Sequence, residues 1–112
     1  MIRRGDVYLV SFGAGRGSEQ KGTRPALVIQ NDSGNEFSSN TIVALMTSRG
    51  RDYPFHVPVP EGTLDIPGQS TVMLEQIQTV SQQRLGRHLG RLDPQTMEQV
   101  DIAIRRSLGL VH

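Results

Sequence analysis

Across most of the chain, short apolar runs alternate with clusters of Gly, Pro, Asn and Asp, the pattern of strands separated by turns. Asp6 to Phe12 is rich in β-branched and aromatic residues and predicts a first strand. It runs into Gly13–Gly22, too polar and glycine-rich to pack by itself, and a mobile loop is expected there. Arg24–Gln30 has an unbroken apolar centre and predicts a strand buried on both faces. Asn31-Asp32-Ser33-Gly34-Asn35 is turn chemistry. Thr41–Met46 predicts a third strand, ending at Thr47-Ser48-Arg49-Gly50. Phe55–Val59 is shorter, and Pro54, Pro58 and Pro60 place it at an edge or a bulge. Gly62–Gly68 turns the chain again. Ser70–Val80 then predicts a strand that bends near Glu75-Gln76, and Leu85–Leu92 supplies a last short one.

The end of the chain changes period. Asp93 is a good N-cap and Pro94 a good first helical residue. Met97, Val100, Ile104 and Leu108 recur at helical spacing on one face, and Gly109 offers a stop. This predicts a core-packing helix with no chemistry of its own. The expected fold is mainly β with a C-terminal α-helix: a curled antiparallel sheet, or partly open barrel, closed by that helix.

Length and composition narrow the setting. The 112 residues fit one compact domain, with no internal repeat or linker. The chain has no cysteine, which removes disulfides, thiolate metal sites and cysteine nucleophiles together. No apolar stretch is long enough to span a bilayer or to serve as a signal peptide behind Arg3 and Arg4, so a soluble, cytoplasmic protein without a membrane partner is expected. The formal net charge is +1, which alone does not announce a nucleic-acid binder. Lys21 is the only lysine, so the basic side chains are otherwise arginines, whose planar fork suits phosphate oxygens. A GC-rich genome would leave the same mark, so the bias opens the question without deciding it.

The familiar catalytic sets are absent or thin. His56, His88 and His112 have no metal-ligand spacing, and no zinc site or other cofactor is expected. His56 reads as a strand residue near a turn, His88 as a solvated residue and His112 as a frayed terminus. The glycines of the first loop are not followed by Lys-Ser/Thr and a helix, so they make no phosphate-binding P-loop. What remains are polar residues where apolar strands stop. Arg24 enters the buried strand, Thr47 and Ser48 leave the third, and Glu75-Gln76 interrupt an apolar run. A guanidinium and a hydroxyl at strand ends have a rigid base and an exposed tip, a platform suited to a phosphate. Taken singly, each is more often a salt-bridge or turn residue than a catalyst.

Several blocks together resemble the MazF/PemK family of toxin ribonucleases. They are Arg4-Gly5-Asp6-Val7-Tyr8, Gly17-Ser18-Glu19-Gln20, Thr23 to Asp32 with its Thr-Arg-Pro start, and Thr47-Ser48. Pro54-Phe55-His56-Val57 and Ser70 to Ile77 follow in the expected order, so the resemblance covers nearly the whole chain. It implies an SH3-like barrel with a terminal helix. It also implies a homodimer that cuts single-stranded RNA at short sequences without a metal, leaving a 2′,3′-cyclic phosphate and a 5′-hydroxyl.

In that resemblance the catalytic arginine falls on Arg24 and the catalytic threonine on Thr47. Glu19 and Gln20 fall in the loop the family uses as a gate, where Glu19 is also a candidate for moving the 2′-hydroxyl proton. Lys21, Ser48 and Gln76 fall on expected RNA contacts. The first loop lacks the proline many relatives carry and has extra glycines, and Gln78 stands where arginine is common. The implied partner is a cognate antitoxin that lays an acidic, partly disordered segment across the dimer. A gyrase-directed toxin of the CcdB type shares this fold without nuclease activity, but its members act through a tail tryptophan and this chain has none. An SH3-like nucleic-acid-binding module without catalysis is a third reading, weakened by the retention of Arg24 and Thr47.

Overall fold

The structure is a computed structural model, and it describes residues 1–13 and 22–110. Six strands form one antiparallel sheet in the order β4-β5-β3-β2-β1-β6. They are β1 (Asp6–Ser11), β2 (Thr23–Val28), β3 (Asn40–Thr47), β4 (His56–Val59), β5 (Ser70–Ser81) and β6 (Leu85–Arg91). Among the described residues two α-helices accompany them, α1 (Asp32–Phe37) and α2 (Pro94–Ser107).

The uninterrupted apolar centre of β2 is buried on both faces, as its composition requires: Ala26, Leu27 and Val28 are each 0% exposed. Successive side chains of a strand point to opposite faces. Leu27 therefore joins the larger core with Val7, Ala44, Met46, Val72 and Leu74, on which Val100 and Ala103 of α2 pack. Ala26 and Val28 join a second core with Val10, Val43, Leu45 and Val80. Helix α2 packs on the first core, and the sheet covers the second by curling over itself.

Two features produce the curl. Ala44 faces Ile77 whereas Met46 faces Val72, so β5 carries three more residues than β3 across that stretch. Such an excess bends a strand and increases its twist. The bend falls on Glu75-Gln76, where the polar interruption predicts it. The edges β4 and β6 do not pair, but the connection between β4 and β5 spans them: Asp65 N–H donates to Leu89 O at 2.7 Å, and Arg87 pairs with the Asp65 carboxylate. The result is a partly open barrel. The Pro-flanked strand β4 lies at an edge, as expected of it.

Helix α2 begins and ends where its caps place it. The Asp93 carboxylate accepts from Thr96 N–H at 2.7 Å, and Pro94 follows. At the other end Gly109 has φ +72°, Leu110 N–H donates to Arg105 O and Gly109 N–H to Arg106 O, a Schellman ending. Leu108 departs from expectation. It caps the helix and is largely exposed, so the buried face consists of Thr96, Val100 and Ala103, with Met97 and Ile104 at its margin. Asn31–Asn35 also departs, because it opens α1 rather than a simple turn. Asn31 caps that helix by accepting from Gly34 N–H at 2.7 Å. The cap is itself a turn motif, which is why the sequence suggests only a turn.

The Asp93 carboxyl is held below the usual aspartate range, chiefly by the hydrogen bond from the Thr96 backbone N–H. A depressed folded-state pKa contributes stability above the unfolded value and loses it as pH falls through the folded one. Asparagine caps almost as well but carries no charge. Asp93→Asn is therefore expected to lower the urea midpoint at neutral pH. The difference from wild type should shrink to nothing in acid below the aspartate range. An unchanged difference at both pH values contradicts the assignment.

Candidate active site

The register of β2 and β3 pairs Ala26 with Leu45. Arg24 lies two residues before Ala26 and Thr47 two after Leu45, so in an antiparallel pair both side chains emerge on one face, side by side. Arg24 is also opposite Val10 of β1, and Thr47 is opposite Thr71 of β5. The row crosses the end of the sheet, where strands give way to turns.

Main-chain contacts orient both groups. Arg24 Nη2 donates to the carbonyl of Met46 at 3.1 Å, which holds the guanidinium beside the residue preceding Thr47. Thr47 Oγ1 accepts from Arg49 N–H at 3.1 Å. That contact engages one lone pair of the hydroxyl and leaves its proton available to donate. Pro25 adds stiffness, since its ring fixes φ next to Arg24.

A cleft of about 360 Å³ opens over this row, lined among others by Arg24, Thr47, Ser48, Arg49, Pro67 and Gln69. Its charged lining residues, Arg24 and Arg49, are both cations. A site with two guanidiniums, four hydroxyls and, among the described residues, no lining carboxylate favours an anion, and the fork of arginine matches a phosphodiester's paired oxygens. A larger hollow of about 490 Å³ lies between residues 52–57 and α2, but it includes Asp52 and lacks a comparable donor set.

The structure thus brings Arg24, Thr47 and Ser48 together. It does not bring Gln76 to them: that residue sits exposed on the bent part of β5, outside the cleft lining. Glu19, Gln20 and Lys21 lie outside the described residues, as does His112. The neck of the first loop is described, and Phe12 N–H to Gly22 O and Gly22 N–H to Gly13 O, both 2.8 Å, fasten it next to Thr23 and Arg24. Arg49 and Gln69 are cleft residues that sequence reasoning passed over. Arg49 directly follows Ser48 at a strand end, which is a usable signal; Gln69 carried none.

The two described histidines are anchored. His56 has a side chain only 4% exposed, against Tyr53 and Phe55, with Nδ1 accepting from Arg51 N–H at 3.2 Å. That acceptor role leaves Nε2–H to donate to Glu75 at 2.9 Å. His88, read as solvated, is half-exposed but reaches Asp6 Oδ1 at 3.3 Å and meets the edge of Tyr8. Asp6 also takes Arg91 and Arg3 N–H, tying the N-terminus to β6. Burial, reinforced by Asp6, raises the Tyr8 phenol pKa. Among the described residues no three His, Asp or Glu side chains gather as a metal set.

Residues 3–108 match the sequence family described as PemK-like, MazF-like toxin of type II toxin-antitoxin system. The chain belongs to that family. It is 43% identical to the protein named Endoribonuclease MazF of Staphylococcus saprophyticus, over 98% of this chain and 93% of that one. Among solved structures it resembles an endoribonuclease in complex with its cognate antitoxin from Mycobacterial species (26% identity, TM-score 0.85, 100% of this chain and 99% of that one). It also resembles MazF from Deinococcus radiodurans, at 25% identity and TM-score 0.80, with 96% of each chain covered. The MazF/PemK resemblance and the barrel-with-helix fold are thereby established. The gyrase-directed alternative has no support, since these relatives are named endoribonucleases. No helix among the described residues is long and apolar enough to cross a membrane.

The buried ring of His56 packs on two aromatics, whereas Glu75 contributes a partly solvated acceptor. His56→Ala is accordingly expected to cost roughly 3 kcal/mol of folding free energy and Glu75→Ala no more than about 1. Equilibrium urea unfolding measures both, and equal costs would contradict the burial argument.

Proposed function

We propose that this chain is an endoribonuclease toxin that cleaves single-stranded RNA by transesterification, with Arg24 and Thr47 as its catalytic residues. The observation that carries the reading is their placement on one sheet face in a cleft whose charged lining is cationic. The ribose 2′-oxygen attacks the adjacent phosphorus, the P–O5′ bond breaks, and the products are a 2′,3′-cyclic phosphate and a 5′-hydroxyl. One proton leaves the 2′-hydroxyl and one reaches the 5′-oxygen, so no water, metal or protein nucleophile is consumed.

The protein's task is then orientation and charge stabilisation. Arg24 binds the non-bridging oxygens, where negative charge grows in the phosphorane, and is the candidate proton donor to the leaving oxygen. A guanidinium offers no free lone pair to take a proton, so it is a poor general base. Thr47 donates to the same phosphate, and Ser48 with Lys21 and Gln76 contacts the RNA. Glu19 is the candidate acceptor of the 2′-hydroxyl proton, with Gln20 beside it in the gate. Base reading requires unstacked RNA with exposed edges.

The same reading supplies the setting: a homodimer in the cytoplasm, restrained by an antitoxin. The mycobacterial relative was solved with its cognate antitoxin. For this chain the complementary partner is an acidic, partly disordered segment laid over the arginines of the cleft. Bases of single-stranded RNA would be displaced along with the phosphates.

Arg24→Ala is expected to lower cleavage of a single-stranded transcript about a hundredfold or more while leaving the thermal melt nearly unchanged. Wild-type protein should cut equally well in excess EDTA, and one deoxyribose at the cut nucleotide should block that cut. Near-normal cleavage by Arg24→Ala, or cleavage at the deoxy position, defeats the proposal.

A further inference from the structure

The turn after Thr47 makes an unusually close approach to β5. Gly50 is not among the glycines with positive φ, so a left-handed backbone does not explain it. Space does. A Cβ at position 50 would stand 2.6 Å from Thr71 Cβ and 2.8 Å from Thr71 Cγ2, with the Oγ1 nearer still. Heavy atoms do not approach so closely without moving apart.

Thr71 cannot give way easily. It is 6% exposed, and it is paired with Thr47 of β3 on one side and Pro58 of β4 on the other. Its β-branched side chain is stiff at χ1, and the crowded atoms include its Cβ. The residue that pairs with Thr47 in the sheet is therefore also the floor on which the Thr47–Gly50 turn rests. Farther along, Arg51 N–H is fastened to His56 Nδ1, so the turn is tethered beyond Gly50 as well.

We infer that Gly50 and Thr71 are positioning residues for cleavage: their contact sets the height of the turn whose Arg49 N–H orients the Thr47 hydroxyl. The inference rests on the proposed role of Thr47. Any side chain at position 50 lifts the turn from Thr71, draws Arg49 N–H away from Thr47 Oγ1, and moves Ser48 and Arg49 at the cleft wall. Displacement by about 1 Å at a catalytic centre can cost on the order of a hundredfold in rate.

The test uses the purified full chain and a single-stranded mRNA transcript that the wild-type protein cuts, with kcat and KM measured separately. Gly50→Ala should lower kcat about tenfold or more and change KM less than about threefold, because the cations of the cleft remain. In a Thr47→Ala background, Gly50→Ala should cost little further, since the group it orients is gone. Gly50→Ala combined with Thr71→Gly should recover much of the loss, the new methyl occupying the vacated space. Should Gly50→Ala fail to fold, Thr71→Gly alone carries the test, slowing the wild type but not the Thr47→Ala protein. A wild-type kcat for Gly50→Ala, or an equal fractional loss in the Thr47→Ala background, overturns the inference. Thr47→Ala alone separates the two claims: if it cleaves normally, the proposed site fails; if it is slow while Gly50→Ala is normal, only the positioning role fails.

Discussion

The antiparallel register between β2 and β3 is the constraint from which the site follows. Ala26 opposite Leu45 buries one pair in the second core, and Leu27 opposite Ala44 buries the next in the first. A slip of one residue would exchange the two faces of β2 and drive Arg24 toward the opposite face. Because both faces are fully buried, the register is fixed by packing in two directions at once. The polar residues at the strand ends inherit that precision without contributing to it. Arg24 and Thr47 need only be the next residues out from a core that has no freedom to shift.

The bend in β5 extends the same logic. Its extra residues let one strand pair with β3 on both sides of the kink, so the sheet covers its own second core. The segment that bridges the barrel's open edges through Asp65 and Leu89 goes on to provide Pro67 and Gln69 to the cleft. Barrel closure and the cleft wall therefore depend on one loop, and a change that loosens the first alters the second.

How far this could be read from the sequence varied with the range of the interaction. Helix α2 was legible because Asp93, Pro94 and Gly109 act within a few residues of themselves. The edge position of β4 followed from Pro58 and Pro60, and the bend of β5 from polar Glu75-Gln76 in an apolar run. Helix α1 was missed because its cap and its glycine look like a turn at that scale. His56 gave no sign of its anchoring, since Glu75 lies nineteen positions away in the chain. Nor does any spacing rule join Arg24 to Thr47. Their proximity depends on strand register, and only the family resemblance put them together in advance. The contact of Gly50 with Thr71 had no signal, because a glycine in a turn ordinarily reads as backbone freedom.

The economy of the site fits the proposed chemistry. When the substrate carries its own nucleophile, the protein must supply neither an activated side chain nor a metal-bound water. Charge stabilisation and in-line geometry remain, and these are properties of placement. A guanidinium tied to a strand carbonyl and a hydroxyl tied to a turn N–H are both fixed by main chain. Those contacts carry the precision of the backbone to both side chains. Setting the reactive groups at strand ends, with a stiff proline beside one and a close-packed turn beside the other, lets the two cores position them.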